Sequence, residues 1–295
     1  MKLYAIGDLH LGFEFNKRAL GALQPHPEDG LILCGDVGEK PEHLELAFGA
    51  AKRNFKEVFW CPGNHELYTM PPSKEPRGEK KYEECVEVAR RFGVHTPEDD
   101  FFLWEGEGGP ALIAPIFTLY DYSFRPADVT REEAVDWAGK EDQVATDEFL
   151  LHPDPHRTRD DWCKQLVCKS AQRLEEAMEK HPGVPLIIAN HWPLREDLIY
   201  IPLVPRFTLW SGTKLTADWH KRFNAKVVVS GHLHVRRTDW IDGVRFEECS
   251  LGYPRQWENA RRLYTRDINH FLREILPGPT PPESGNAETD FRPMG

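Results

Sequence analysis

Five short apolar runs in this chain each end in a residue type that binds metal, and this repetition constrains the fold more than any other feature. "LYAIGDLH" (3–10) delivers Asp8 and His10, "LILCGDVGE" (31–39) Asp36 and Glu39, and "VFWCPGNHE" (58–66) Asn64, His65 and Glu66; "LIIANHWP" (186–193) delivers Asn190 and His191, and "VVVSGHLH" (227–234) His232 and His234. With a sixth run, Ala111 to Ala114, they are too short for buried helices and stop at Gly, Pro or Asn, the pattern of core strands. A single Asp or His at a strand end has an ordinary explanation as a helix cap or a partner for loop backbone. Five in succession do not, because independent caps have no reason to be imidazoles and carboxylates in a repeated setting. Open α/β sheets form their binding crevices at the carboxyl ends of strands, so one crevice lined by these side chains is predicted. In Gly-His-x-His an extended backbone of period two would put His232 and His234 on one side.

Helical spacing lies between the runs. Residues 41–55 open with Pro, 82–93 end in Gly93, and 159–183 form the longest helical stretch. Strands alternating with helices predict an α/β sandwich of mixed sheets flanked by helices, with residues 1–276 as one domain. Two irregular stretches interrupt it: 120–155, with a short helix around Arg131 to Gly139, and 195–216. Loops this long in a compact domain are commonly lids or binding loops. Residues 277–295, "PGPTPPESGNAETDFRPMG", are rich in Pro and Gly and poor in apolar residues, which predicts a flexible tail.

Composition narrows the function. The net charge of −11 disfavours non-specific nucleic-acid binding, which depends on Lys and Arg neutralising phosphates. The charge is uneven: thirteen Lys/Arg face eight Asp/Glu between Arg195 and Arg266. A basic pocket on an acidic protein suits an anionic small group or a compact acidic partner. The six cysteines have no C-x-x-C spacing and read as buried reduced thiols. No apolar run approaches a membrane span, and Met1 leads into "KLYAIGDLH", too quickly polar for a signal-peptide core. The cytoplasm is the expected compartment. Oxygen and nitrogen donors without thiolates suit Mn, Fe, Zn or a similar ion. A shared carboxylate would set two ions about 3.5–4 Å apart, an arrangement that clamps a phosphoryl group and activates a bridging water.

The order D-x-H, G-D, G-N-H-E, H, G-H-x-H resembles the calcineurin-like metallophosphoesterase superfamily over Asp8 to His234. The resemblance implies phosphoester hydrolysis at two metal ions, with attack by a hydroxide between them. It implies that Asp8, His10 and His234 hold one ion, Asn64, His191 and His232 the other, and that Asp36 bridges both. His65 would face substrate and protonate the leaving oxygen or stabilise developing charge. Glu39 stands where many members have Asp; the position does not bind metal in the family, so only local hydrogen bonding is in question.

Further segments, "FTLYDYSF" (117–124), "VATDEFLL" (144–151), "LWSGTKLTADWH" (209–220) and "DGVRFEECSLGYPRQW" (242–257), are similar to the phosphopantetheinyl hydrolase branch of that superfamily. This implies an acidic carrier protein bearing phosphopantetheine as substrate. Lys214, Lys221, Arg222, Arg236, Arg237 and Arg255 are candidate docking cations, each also explicable as a solvated charge. Arg255 is favoured because Tyr253, Pro254 and Trp257 suggest a shaped loop. Tyr120 and Tyr122 are candidates to line a slot for the pantetheine arm, ahead of Trp192, Trp210 and Trp219. Two other readings stay open: a general phosphodiesterase acting on cyclic nucleotides or other small esters, and a catalytically silent, metal-holding scaffold for protein binding.

Overall fold

A computed structural model describes residues 1–70, 76–257 and 267–291. Its strands are β1 (Leu3–Ile6), β2 (His26–Cys34), β3 (Phe55–Cys61), β4 (Phe102–Trp104), β5 (Ala111–Pro115), β6 (Leu186–Ala189), β7 (Ala225–Ser230), β8 (Arg237–Ile241), β9 (Val244–Glu248), β10 (Arg273–Leu276) and β11 (Ala287–Phe291). They form two mixed sheets, of order β10-β1-β2-β3 and β11-β8-β9-β7-β6-β5-β4. Helices α1 (Glu14–Leu20), α2 (Pro41–Asn54), α3 (Gly78–Arg91), α4 (Ala134–Gly139), α5 (Asp147–Leu150), α6 (Arg159–Lys180), α7 (Trp219–Arg222) and α8 (Pro254–Trp257) complete the regular structure. The expected α/β sandwich is thus present.

Strand periodicity divides the core in two. Ala5, Ile32, Cys34, Phe59 and Cys61 from the smaller sheet meet Ile113, Ile187, Ala189, Val227 and Val229 from the larger one. The alternate residues Leu31, Leu33, Val58 and Trp60, with Leu112, Leu186, Ile188 and Val228, belong to the cluster that includes the buried faces of α2, α3 and α6. Burying a Val or Ile in either layer contributes about 1.5–3 kcal/mol. All six cysteines are free; five are buried and Cys168 is exposed. Among the described residues no helix is long and apolar enough to cross a membrane.

Parallel register carries the motifs to one place. Ile6 pairs with Leu33 and Cys34 with Cys61, so Asp8, Asp36 and Asn64 emerge together. In the other sheet Ala189 pairs with Val229, which brings out His191 beside the His232 loop. Backbone hydrogen bonds from Gly7 N–H to Cys249 C=O (3.0 Å) and from Gly252 N–H to Asp8 C=O (3.1 Å) tie the sheets together at that edge.

Three expectations need revision. α3 begins at Gly78, ahead of residue 82, because Glu79 N–H donates to Asp154 C=O at 2.8 Å, a contact no local pattern reveals; at its other end Gly93 has φ +66, as its place beyond the helix predicts. The 277–291 part of the expected flexible tail carries β11, which pairs with β8 and would otherwise leave that strand at the sheet edge. Arg237 lies over the Phe291 ring and donates to Thr289 Oγ1 at 2.9 Å; residues 292–295 of that tail lie outside the described residues. The Gly-His-x-His segment is not extended, since β7 stops at Ser230 and His232 and His234 have φ of 73° and 56°.

Candidate metal centre

Five candidate ligands, Asp8, His10, Asp36, His232 and His234, have positive φ. Non-glycine residues enter that region at a cost and persist where surrounding structure holds them, commonly at functional sites. Two buried glutamates do much of the holding. Glu66 Oε2 accepts from Asp36 N–H and Gly63 N–H, both at 3.0 Å, and its Oε1 accepts from Val37 N–H at 2.9 Å, so one carboxylate shapes the G-D and G-N-H-E loops. Glu248 plays the same part on the other side, accepting from His234 N–H at 3.1 Å and Arg236 N–H at 2.5 Å. Burial and the Asp36 carboxylate push Glu66 up to about 7, against its three N–H donors; cations held by Asp36 would favour the ionised form. Gly63 is required at its position because a Cβ there would collide with Asp36 Oδ1. Glu66→Gln should cost about 1–3 kcal/mol in a urea titration, since an amide N–H₂ would then face a backbone N–H. An unchanged unfolding midpoint would count against this role.

The candidate ligands converge in three overlapping groups: Asp8, His10 and His234; His10, Asp36 and His65; and Asp8, Asp36 and His191. His234 Nε2 lies 2.9 Å from Asp8 Oδ1 and 3.1 Å from His10 Nε2. His191 Nε2 lies 3.3 Å from Asn64 Oδ1 and 3.5 Å from Asp36 Oδ1. Asp36 Oδ2 faces the first cluster, 3.9 Å from His10 Nε2. One carboxylate therefore presents an oxygen to each side. His232 stands against the second cluster, its ring centroid 5.1 Å from that of His191 and its buried Nε2 without a hydrogen-bond partner.

This donor set fits cations. Imidazole nitrogens that converge on one another, such as His10 Nε2 and His234 Nε2 at 3.1 Å, together with carboxylate oxygens make a donor set well matched to a divalent ion. Burial and neighbouring imidazoles hold His10 and His232 well below the ordinary imidazole range, leaving neutral rings with free lone pairs. The remote nitrogens of two rings are occupied, His191 Nδ1 by Cys34 C=O at 3.0 Å and His234 Nδ1 by Gln256 Oε1 at 2.8 Å. Such outer partners fix which nitrogen faces a metal.

His65 is placed differently. Its Nδ1 lies 2.8 Å from Glu39 Oε1 and its Nε2 3.8 Å from Asp36 Oδ2. Burial lowers its pKa, but Asp36 and Glu39 outweigh burial and hold it up at about 9; cations held by Asp36 would offset the Asp36 part of that pull and leave Glu39 as the main support. The Glu39 departure thus has a defined consequence: this carboxylate orients His65.

A cavity of about 560 Å³ opens over the cluster. Asp36, Asn64, His65, His232 and His234 form its floor, Met70, Leu150, Ile201, Val204 and Phe207 an apolar wall, and Lys40 and Arg255 contribute cations. Tyr253 stacks on His10 at 4.3 Å, and the Arg255 guanidinium sits 5.7 Å from the Tyr253 ring centre.

The other substrate candidates lie elsewhere. Tyr120 and Tyr122 are buried and do not line this cavity; Tyr122 Oη instead donates to Glu148 Oε1 at 2.7 Å. Trp192, Trp210 and Trp219 are also buried. Aromatic character alone did not separate packing from lining, and the apolar wall comes mostly from aliphatic side chains, with Phe207 its aromatic member. Lys214 pairs with Glu196 at 3.3 Å, Lys221 with Asp242 at 2.8 Å, and Arg222 with Glu175. Arg237 is buried against Asp239, and Arg236 is buried too. Arg255 alone of the six candidate cations lines the cavity; Arg261, Arg262 and Arg266 of the basic stretch lie outside the described residues. Asp147, Glu66 and Glu248 had no assigned role because each acts through contacts distant in sequence or through backbone.

These features define a metal-dependent phosphoester hydrolase, and the chain belongs to the calcineurin-like phosphoesterase family, whose model matches residues 1–236. It is 44% identical, over 282 residues covering 94% of this chain and 84% of the relative, to the [acyl-carrier-protein] phosphodiesterase PptH of Mycobacterium tuberculosis. The crystal structure of phosphopantetheinyl hydrolase (PptH) from that organism matches the fold with a TM-score of 0.87 and 43% identity, covering 94% of this chain and 96% of that one.

Proposed function

We propose that this chain hydrolyses the phosphodiester joining 4′-phosphopantetheine to a serine of an acidic carrier protein, in the cytoplasm. The observation that carries the reading is the 44% identity to a phosphodiesterase of that name across 94% of the chain. Asp8, His10 and His234 would hold one ion and Asn64, His191 and His232 the other, with Asp36 shared; Mn, Fe and Zn all suit such donors. Bound there, the ions neutralise phosphoryl oxygens and acidify water. A water oxygen adds to phosphorus as its proton passes to solvent, the bond from phosphorus to the serine oxygen breaks, and that oxygen takes a proton from His65, which regains one from solvent. Glu39 holds the opposite side of the His65 ring, so Nε2 is the nitrogen that faces the reacting group. Lys40 and Arg255 are placed for the anionic partner, and the apolar wall for the arm.

The test is mass spectrometry of a holo-carrier protein incubated with the Mn-loaded enzyme, with bis(p-nitrophenyl) phosphate run in parallel. Loss of the phosphopantetheine mass to give apo-carrier is expected. Cleavage of the chromogen with the carrier untouched would return the chain to a general phosphodiesterase. Arg255→Ala should raise KM for the carrier by a larger factor than KM for the chromogen.

A further inference from the structure

The geometry points to Asp147 as a positioning residue that fixes which end of the Asn64 amide faces the second ion; this rests on the two-ion reading above. An asparagine ligand must offer its oxygen, yet its amide can rotate to offer N–H₂ instead. Here Asn64 Nδ2 donates to Tyr68 Oη at 2.9 Å and to Asp147 Oδ1 at 3.0 Å, while Tyr68 Oη itself donates to Asp147 Oδ1 at 2.6 Å. That leaves Asn64 Oδ1 toward His191 Nε2 at 3.3 Å. A flipped amide would set its oxygen against the Asp147 carboxylate and its N–H₂ toward a cation, two repulsive contacts in a buried site. Without Asp147 the flip loses most of its cost.

Asp147 comes from the 120–155 insertion, on the four-residue helix α5, which is far too short to hold itself. Arg159 at the start of α6 supplies the support: its Nη2 donates to Asp147 C=O at 2.7 Å, its Nε to Leu151 C=O at 2.9 Å and its Nη1 to Glu148 Oε2 at 3.0 Å. Glu148 Oε1 also accepts from Tyr122 Oη and Trp210 Nε1, both at 2.7 Å. The insertion therefore acts as a clamp on a ligand carried by the β3 loop. Leu150 on the same turn belongs to the cavity wall, so the piece that sets Asn64 also faces the substrate's space.

Three variants test this: Asp147→Ala, Asp147→Asn and Tyr68→Phe. The readouts are ions bound per chain, by elemental mass spectrometry after gel filtration, and the Mn affinities of the two sites by calorimetry. Asp147→Ala should keep the ion of the Asp8, His10 and His234 site and weaken the ion of the Asn64 site by about 10- to 100-fold, the usual cost of losing a ligand's outer partner. Asp147→Asn should bind both ions within a few-fold of wild type, because its Oδ1 still accepts from Asn64 and Tyr68, and the Tyr120 hydroxyl beside the carboxylate can accept from the new N–H₂ as well as donate. Tyr68→Phe, which keeps the ring, should fall between. Chromogen kcat should recover in Asp147→Ala at saturating Mn, a rescue that a general packing defect would not show. Wild-type Mn affinity in Asp147→Ala overturns the inference; if that variant does not fold, wild-type affinity in Tyr68→Phe overturns it. A wild-type chain that binds a single ion would instead refute the two-ion reading.

Discussion

Asp36→Asn should lose at least about 10³-fold in turnover together with most of its bound metal, the largest effect expected of any single substitution here. The Asp36 carboxylate faces both clusters, with Oδ1 3.5 Å from His191 Nε2 and Oδ2 3.9 Å from His10 Nε2. Asparagine preserves the shape and can still accept from His65 N–H, now made to Asp36 Oδ1 at 2.9 Å, so the loop should survive. What disappears is the negative charge shared between two sites. Metal analysis, and the thermal shift on adding Mn, separate these effects: folded protein with little metal and no Mn-induced stabilisation is expected. A variant that retains two ions and near-normal turnover would sink the bridging role.

His65→Ala should behave in the opposite way, keeping its metal and losing about 10²- to 10⁴-fold in kcat, the usual range for a lost proton donor. The loss should depend on the leaving group. A serine alkoxide needs a proton as it departs, whereas p-nitrophenolate does not, so the carrier protein should suffer more than the chromogen. The structure sharpens the test because His65 also lies in a possible ligand group with His10 and Asp36. Loss of an ion from His65→Ala would make it a ligand instead. Equal losses on both substrates would mean that it stabilises charge without transferring a proton.

The sequence alone determined six of the strands, the order of the candidate ligands and the crevice at the strand ends, because short-range patterns encode each of them. Short continuous apolar runs that stop at Gly or Asn mark Leu31 to Cys34 and Leu186 to Ala189 as strands without a partner in view, and a parallel register then aligns whatever follows. The identities of Asp8, Asp36, Asn64, His65 and His191 were legible for the same reason: they stand at fixed offsets from those strands. His232 and His234 were legible as donors but not in their backbone, because their positive φ is imposed by contacts such as His232 N–H to Asp8 Oδ1 at 3.1 Å, from the other sheet.

Only the tertiary structure decided the rest. Tyr120 and Tyr122 carry the same chemistry whether they line a cavity or pack beneath it, and the choice depends on where α5 and α6 sit. The buried Glu66 and Asp147 act on groups brought near by folding, Asp147 across more than eighty positions of chain to Asn64. Local sequence sets backbone preference and burial, which extend over a few residues. The aim of a carboxylate at a distant amide is set by packing, where many weak contacts add up to one geometry.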